Sequence, residues 1–302
     1  MTTPNTQMIR SIPLANTHNT ALAENHHARS MGSILVDSGR LSIAHVEKIL
    51  LSQRENVVRF GEAGRALGLL TEDDVRFALS VQFNYSYIPS GSSLGRELIA
   101  AYQPDSPTVE EFRMLRSQLM LRWFGNATDH KGLAVVSASP GDGRSYIAAN
   151  LAIVFSQLGE RTLLIDADMR SPRQHRLFSL GKRAGLSDLL VGRVGLGAIS
   201  SVDVLPNLSV LSAGAIPPNP QELLGRQSFS KLLISLGDDF DVMIIDTPSA
   251  STCADAHTVA VRTGAALVVA RQGKSSMVQL GQLTHSLREF GVSLVGSVLN
   301  DS

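Results

Sequence analysis

The sequence predicts an α/β fold in which helices flank a mostly parallel sheet, preceded by a small helical domain of two repeats. Three observations support this prediction. Short apolar runs rich in Val, Ile and Leu alternate with segments long enough for crossover helices. A glycine-rich turn follows the first of these runs, and a segment upstream of it repeats with a fixed period.

The composition argues against several classes of protein and of binding partner. The 27 Lys and Arg residues balance 27 Asp and Glu residues, so no net charge favours a nucleic acid polymer as partner. The single cysteine, Cys253, excludes an intramolecular disulfide framework. Residues 1–28 lack the apolar run of a secretory signal, and no stretch has the roughly 18 continuous apolar residues of a membrane span. We interpret residues 1–28 as a disordered tail and expect a cytoplasmic protein.

The two repeats lie at residues 30–53 and 59–82, and a shift of 29 positions aligns them. The aligned pairs are Gly32 and Gly61, Gly39 and Gly68, Leu41 and Leu70, Val46 and Val75, and Leu50 and Leu79. Each copy has an apolar start, a glycine turn and then an apolar stripe at helical spacing, which includes Leu50 or Leu79. We expect two small helical units that bury these stripes against each other.

This spacing resembles that of the MshEN domain of type II secretion and pilus ATPases, whose tandem motifs bind cyclic di-GMP. The resemblance covers residues 29–88 and implies that the dinucleotide contacts these residues: Arg29, Gly32, Gly39, Arg59, Gly61 and Gly68. The second copy opens with Arg59-Phe60-Gly61 where the family has Arg-Leu-Gly, whereas Arg29 stands one position early in the first copy. Guanine recognition relies on the forked guanidinium groups of arginines, so a displaced arginine could abolish dinucleotide binding. The alternative is that this domain docks a protein or serves only for packing.

Residues 89–107 predict a linker, because Ser, Gly and Pro interrupt the periodicity at both of its ends. Thr108 and Glu111 then have the spacing of a capping box, and the pattern predicts a helix that runs to about Phe124. Charged residues recur at every third position of this helix: Glu110, Arg113 and Arg116. A solvated face with weak local pairs is the simplest interpretation of these charges.

The glycine-rich turn, residues 138–145, follows the apolar run Leu133–Ser137 and precedes a helical pattern. It fits the phosphate-binding template of P-loop NTPases at every fixed position except the basic one, where Arg144 replaces Lys. Glycines let the backbone N–H groups curl inward, and the helix dipole adds positive potential. We therefore expect a P-loop domain over residues 108–302 that binds ATP. Its expected phosphate-binding residues are Gly141, Asp142, Gly143, Arg144, Ser145 and Tyr146.

Two further apolar runs end in acidic residues. One ends in Asp166-Ala167-Asp168-Met169-Arg170, and the other ends in Asp246-Thr247-Pro248. The carboxyl ends of parallel strands meet at one edge of a sheet, where these carboxylates can hold Mg²⁺ or accept a proton. Helix capping or a surface salt bridge would explain any one of these motifs, but the three motifs together predict a nucleotide site.

In combination, these motifs resemble those of the bacterial tyrosine kinases (BY-kinases) of polysaccharide synthesis, and most closely the EpsG-type chain-length-determinant kinases. The resemblance covers about residues 108–300. It implies that Ser145, Asp168 and Asp246 organise Mg²⁺, that Asp166 is the base toward a tyrosine hydroxyl, and that Arg144 braces the phosphates. It also implies ring-like homo-oligomers built through Glu110, Arg113 and Arg116.

The same resemblance implies partners. A membrane-embedded chain-length determinant would activate the kinase with its cytoplasmic tail and hold it at the inner membrane, and proteins with exposed tyrosines would be the substrates. The sequence departs from the family pattern at Arg144 and at Ser249, which replaces the second proline of the acidic motif. Its only tyrosines are Tyr85, Tyr87, Tyr102 and Tyr146, so we expect no autophosphorylation of a tyrosine-rich tail such as the family carries.

Two alternatives stay open at this point. Arg144 could permit nucleotide binding with little transfer, which would make the protein a nucleotide-binding scaffold of the same export machinery. An ATPase of the MinD/ParA positioning class would share the sheet and the acidic strand ends. Those ATPases carry a signature lysine five residues before the basic residue of the turn, where this chain has Ser139.

Overall fold

The computed structural model describes residues 30–83, 88, 91–125 and 130–301, and the chain divides into a unit of residues 1–84 and a unit of residues 85–302. The expected tail at residues 1–28, the candidate ligand Arg29, and Tyr85 and Tyr87 lie outside the described residues. Among the described helices, none has the length and apolar character needed to span a membrane.

The first unit contains four helices that follow the sequence repeat. They are α1 (Met31–Asp37), α2 (Ile43–Asn56), α3 (Phe60–Ala66) and α4 (Glu72–Gln82). Helix α1 packs against α4, and α2 packs against α3. Ser42 caps α2 and Thr71 caps α4, so the caps also occupy equivalent positions of the two copies. The unit buries one small apolar core, which includes Leu35, Ile49 and Ala78. Leu50, which we expected in the buried stripe, is 41% exposed.

The second unit is built on a seven-stranded sheet. The strands are β1 (Gly132–Ser137), β2 (Thr162–Asp166), β3 (Ser200–Val202), β4 (Leu205–Leu211), β5 (Val242–Asp246), β6 (Ala265–Arg271) and β7 (Ser293–Asn300). Their order is β3-β4-β2-β5-β1-β6-β7, and all neighbours are parallel except β3 and β4. Strands β1, β2 and β5 are buried along their whole length, as expected for strands covered on both faces.

Helices cover both faces of this sheet. The α-helices are α5 (Ile99–Tyr102), α6 (Pro107–Leu119), α7 (Arg144–Gln157), α8 (Gln174–Leu177), α9 (Leu186–Leu190), α10 (Pro220–Gly225), α11 (Gln227–Asp239), α12 (Asp255–Thr263) and α13 (Met277–Glu289). Helices α5, α6 and α7 share one apolar core with the sheet, whereas α9 to α13 share the other. Helix α7 lies deepest, with most of its side chains buried. The expected α/β fold with a mostly parallel, helix-flanked sheet is confirmed.

The prediction of a linker at residues 89–107 is wrong for most of the described part of that segment. Leu98 is fully buried, Leu94 is 9% exposed, and both belong to the core beneath α7. The buried Asn150 of α7 holds the segment, since its amide accepts from Ala100 N at 2.9 Å and donates to Glu97 O at 2.9 Å. The apolar run is too short to show a period, so the flanking Pro and Gly residues dominated the prediction.

Helix α6 begins two residues earlier than the capping-box prediction placed it. The cap is Ser106, whose hydroxyl accepts from Val109 N, and Pro107 occupies the first helical position. At its other end the helix widens into a π-helical turn at Met120–Phe124, which Gly125 closes by donating to Met120 O at 2.8 Å. The helical segment therefore ends at Phe124, as predicted.

Candidate active site

The carboxyl ends of β1, β2 and β5 form the site. β5 lies between the other two strands, and its terminal Asp246 is the register partner of Asp166 on β2. The glycine-rich turn follows β1 and leads into α7. The topology therefore brings together the three motifs that the sequence analysis selected.

The turn curls as the glycine pattern predicts. Gly141 and Gly143 have positive φ values of 77° and 101°, a conformation that other residues adopt only with strain. Gly143 also caps α7, whose first N–H groups have no acceptor within the helix and are available to a phosphate. A Cβ on Gly143 would overlap the Asn300 amide, so glycine is required there for packing as well.

Asp142 shapes the turn with its side chain. Its fully buried carboxylate accepts from Ser139 N at 2.9 Å and from the hydroxyl of Ser275 at 2.9 Å. We expected Asp142 among the phosphate-binding residues, but its carboxylate points into the protein and closes the turn. Asn300, at the end of β7, donates to Asp142 O at 3.1 Å. The sequence analysis missed Asn300, although a polar residue directly after an apolar strand is the signal that identified Asp166 and Asp246.

Arg144 is directed at neutral acceptors of the turn and of β5. Its Nε donates to Thr247 O at 2.8 Å, and its Nη1 donates to Ser139 O at 2.8 Å and to the Ser137 hydroxyl. The side chain is 9% exposed. The guanidinium thus lies beneath the turn, where its charge favours a bound anion, while two of its nitrogens brace protein groups.

Tyr146 packs as a core residue at the start of α7. Its half-buried ring meets Phe112 of α6 edge to face, with 5.9 Å between ring centroids. Burial, together with the charges of Asp301, Glu111 and Glu97, raises the pKa of the Tyr146 hydroxyl. These contacts give the ring a packing function, and no described contact directs it to the phosphate-binding turn.

Asp166 is fully buried, and three backbone groups donate to its carboxylate. The donors are Asp168 N at 3.2 Å, Arg173 N at 3.1 Å and Gln174 N at 3.0 Å. These bonds fix the backbone turn that leads into α8. Burial and then the charge of Asp246 raise the pKa of Asp166 well above the ordinary value. A raised pKa suits the expected base, but a substrate hydroxyl can reach this carboxylate only if the turn moves.

Asp246 is also fully buried, and one of its oxygens has no partner. Gln174 Nε2 donates to Asp246 Oδ2 at 2.8 Å and to Ser145 O at 3.1 Å, so this amide links β5 to the first turn of α7. Asp246 Oδ1 and Gln174 Oε1 are buried oxygens that accept no hydrogen bond from the described residues. Burial raises the pKa of Asp246 to about 6, against the opposing effects of the Ser145 hydroxyl and the Gln174 amide. No motif or strand pattern in the sequence indicates Gln174.

These orphaned oxygens fit a bound Mg²⁺. Buried oxygens without partners are costly, and a hard cation with oxygen ligands would satisfy them. Ser145 is half-buried at the start of α7, and Asp168 is the only one of the three candidate aspartates with exposed surface, at 8%. Within the described residues, no cluster of three His, Cys, Asp or Glu side chains could hold a metal alone. The ion would therefore need phosphate oxygens or water as further ligands.

A bidentate ion pair connects the acidic motif of β2 to the segment after β5. Arg170 donates from Nε to Asp255 Oδ2 at 2.9 Å and from Nη2 to Oδ1 at 3.2 Å. Asp255 is fully buried at the start of α12, whereas Arg170 is partly exposed. Because the fork holds two segments that flank the site, it fixes the position of the Asp168 turn.

The three residues expected at an oligomer contact do not form one exposed face. Glu110 and Arg113 form an ion pair at 3.0 Å on the exposed side of α6. Arg116 instead donates to Val154 O of α7 at 2.7 Å, and its buried Nε has no hydrogen-bond partner in the described part of the chain. Arg116 therefore connects α6 to α7 in this structure.

The glycines expected to contact cyclic di-GMP have packing and turn functions. A Cβ on Gly32 would lie 3.3 Å from Val46 of α2, and one on Gly61 would lie 3.1 Å from the equivalent Val75 of α4. Gly39 and Gly68 have φ values of 72° and 67° in the exposed turns after α1 and α3. Arg59 lines a cavity of about 620 Å³, whose other lining residues are Leu50, Gln53, Arg54, Val57, Val58 and Glu62.

Comparison with known proteins identifies relatives that match about two thirds of the chain, although no protein-family model matches it. The chain is 33% identical over 210 residues to the tyrosine-protein kinase YwqD of Bacillus subtilis, a match that covers 70% of this chain and 88% of YwqD. It is 34% identical over 205 residues to the tyrosine-protein kinase ptk of Acinetobacter johnsonii. That match covers 68% of this chain but only 28% of ptk, so the chain spans about a quarter of this longer relative.

Solved structures agree with these relatives. The kinase domain of the Escherichia coli tyrosine kinase ETK superposes with a TM-score of 0.65 at 30% identity, covering 72% of this chain and 89% of that domain. The chimerical protein CapA2B2 superposes with a TM-score of 0.64 at 34% identity, covering 74% of this chain and 98% of the chimera. The cell division ATPase MinD of Pyrococcus furiosus has a TM-score of 0.50 at 24% identity, which shows a shared fold and nothing more.

Proposed function

The chain belongs to the bacterial tyrosine-protein kinases, and we propose that it transfers the terminal phosphoryl group of Mg²⁺-bound ATP to tyrosine side chains of proteins. The observation that carries this proposal is the pair of buried carboxyls, Asp166 and Asp246, on adjacent strand ends behind a phosphate-binding turn. Asp246 Oδ1 is buried there and accepts no hydrogen bond from any described residue, so it is available as a metal ligand.

In the proposed mechanism, the turn at residues 138–145 binds the phosphates through its backbone N–H groups, and the charge of Arg144 favours the anion from below. Ser145, Asp168 and Asp246 are the residues that would hold Mg²⁺. When bound, the ion neutralises the charge that develops between the β- and γ-phosphates. Gln174 orients Asp246 toward Ser145 by bonding to both elements.

The transfer forms a bond from the γ-phosphorus to the tyrosine oxygen and breaks the bond from that phosphorus to the bridging oxygen. The β-phosphate of ADP keeps the electron pair, and a carboxylate takes the phenolic proton. Asp166 is the proposed acceptor, and its raised pKa supports this function. Because backbone groups of Arg173 and Gln174 cover it, the mechanism requires that the turn before α8 open when substrate binds.

A transfer assay with an acidic-residue control tests the proposal. Purified full chain, Mg²⁺, γ-labelled ATP and a random Glu-Tyr copolymer should yield phosphotyrosine. Asp246→Asn should reduce the rate by about 100-fold or more, because it removes a metal ligand. Asp203→Asn, at an exposed position between β3 and β4, should leave the rate unchanged. Equal rates in the wild type and Asp246→Asn would contradict the proposal.

The scaffold alternative makes a different prediction in the same assay. If Arg144 permits binding without transfer, the wild type will bind Mg–ATP but produce neither phosphotyrosine nor ADP, and Arg144→Lys will not change this. If the protein is a kinase, Arg144→Lys should retain or increase transfer, because Lys has the compact ammonium that reaches the terminal phosphates. The assay should include the cytoplasmic tail of the membrane partner, because a turn that binds phosphates weakly through Arg144 could require that activator.

The proposed cellular context is regulation of exopolysaccharide chain length, polymerisation or export, together with a membrane-embedded chain-length determinant. The likeness to the chimerical protein CapA2B2 supports a two-component arrangement. In this proposal the tail of that determinant holds the protein at the inner membrane. The proposal also includes a homo-oligomer with a contact at α6, where Glu110 and Arg113 are exposed.

Cyclic di-GMP regulation is proposed only on the spacing of the repeats and on the cavity beside Arg59. The packing functions of Gly32 and Gly61 account for these glycines without a ligand. Calorimetry on the full chain decides between the two. Saturable heat that Arg59→Ala abolishes would support cyclic di-GMP binding. If no heat is released at high dinucleotide concentration, packing is the only function of these repeats that the structure supports.

A further inference from the structure

The loop between β6 and α13 is anchored on the phosphate-binding turn by two contacts. Arg271 Nη1 donates to Gly141 O at 3.2 Å, and the Ser275 hydroxyl donates to the buried carboxylate of Asp142 at 2.9 Å. The same hydroxyl accepts from Arg271 N at 2.7 Å, so the loop is also braced internally. Lys274 lies between these anchors in sequence, and its backbone is held beside the turn.

The ammonium group of Lys274 lies against the backbone of Gly141. A Cβ added to Gly141 would overlap Lys274 Nζ, so the amine occupies the space that a side chain would fill at this position. Lys274 is exposed, and its backbone N–H donates to Arg271 O at 3.2 Å. No described residue accepts a hydrogen bond from its ammonium group or forms a salt bridge with it. The amine therefore retains its donors at the rim of the turn that would hold the phosphates.

Arg144, the residue at the usual lysine position, is placed differently. Two of its nitrogens are committed to Thr247 O, to Ser139 O and to the Ser137 hydroxyl, beneath the turn. Reaching a terminal phosphate would break these bonds. The structure thus separates two tasks that one lysine performs in other P-loops: Arg144 braces the turn, and a compact ammonium lies on its outer face.

We propose that Lys274 is a phosphate-binding residue that contacts the terminal phosphates of Mg–ATP from the β6–α13 loop. This inference rests on the proposed function and identifies a residue of that same site. The contact would be charge-assisted, and its flexible stem would let the amine follow the phosphates as Gly141 binds them. The side chain then compensates for the arginine at position 144.

Nucleotide titrations test this inference without reference to transfer. Isothermal calorimetry on the full chain would compare Mg–ATP, Mg–ADP and AMP for the wild type, Lys274→Met and a matched control. The control is Lys231→Met, which removes an exposed lysine from α11. We expect Lys274→Met to weaken Mg–ATP binding by about tenfold and AMP binding little, because AMP lacks the terminal phosphates. The control should bind all three nucleotides as the wild type does.

A second variant tests the division of tasks. In an Arg144→Lys background, the new ammonium group at position 144 should bind the terminal phosphates. Adding Lys274→Met to that background should therefore reduce the affinity for Mg–ATP by clearly less than tenfold. If the wild type binds Mg–ATP and Lys274→Met binds it equally well, Lys274 is a solvated surface residue and only this inference fails. If the wild type binds no Mg–ATP, both this inference and the proposed function fail. Thermal unfolding of each variant would verify that it is folded.

Discussion

The buried carboxyl of Asp246 makes the stability of the ligand-free protein depend on pH in an unusual direction. Burial raises its pKa from 3.8 to about 6 in the folded state. Because the folded state binds the proton more tightly, this contribution is fully present below pH 3.8 and is lost as the pH rises through 6. The whole shift corresponds to about 3 kcal/mol, and about half of it is lost between pH 5 and pH 7.5.

Denaturant unfolding at pH 5, 6 and 7.5 measures this effect as the difference between the wild type and Asp246→Asn. The variant cannot titrate at this position, so it should lose less stability than the wild type as the pH rises. The comparison is needed because burial lowers the pKa of His175 and His257, which act in the opposite direction. Identical pH slopes in both proteins would contradict the account of the site.

At the residue scale, the sequence could locate the acidic groups but not the residues that hold them. Asp166 and Asp246 each follow an apolar run, and parallel strands place such residues at one edge. Gln174 follows no strand directly, and Lys274, although it comes three residues after β6, belongs to no fixed motif. Only the folded chain brings these two residues to the site. The orientation of Arg144 likewise depends on Thr247, which is distant in sequence.

At the element scale, the segment at residues 94–102 depends on one buried amide of α7. Asn150 makes three hydrogen bonds, to Ala100 N, Glu97 O and Tyr146 O. Asn150→Leu keeps the branching and the number of side-chain heavy atoms but leaves the buried groups of the segment unpaired, which should cost about 2–4 kcal/mol of unfolding free energy. Asn207→Leu, at an exposed position of β4, removes one long hydrogen bond to Ser156 O, at 3.4 Å, and should cost much less. Urea unfolding measures both, and equal costs would show that the segment is not anchored in this way.

The limits of prediction also differ between elements. The repeat of the first unit was predictable because equivalent glycines and caps recur at a fixed distance, and the structure places them in equivalent turns and at equivalent helix starts. Strands β3 and β4 were missed, since β3 has three residues and β4 alternates buried and exposed positions irregularly. The linker prediction at residues 89–107 was wrong for a related reason. So short a buried segment shows no periodicity, and its burial depends on packing against α7, which is distant in sequence.

At the scale of the whole molecule, the exposed ion pair of α6 predicts how assembly should respond to mutation. If α6 forms the proposed contact between copies, Glu110→Ala combined with Arg113→Ala should shift the protein toward the monomer in light scattering. Lys231→Ala, on α11, should not. Arg116→Ala should instead lower the unfolding free energy, because Arg116 donates to Val154 O within the chain. A wild type that is monomeric at all concentrations would contradict the proposed oligomer.

The most direct measurement is a crystal structure of the full chain with Mg²⁺ and a non-hydrolysable ATP analogue. We predict the phosphates in the turn at residues 138–145, with Asp246 Oδ1 and the Ser145 hydroxyl bound to the ion directly or through its waters. Nucleotide bound elsewhere, or a metal that leaves Asp246 Oδ1 without a partner, would contradict the assignment of this site.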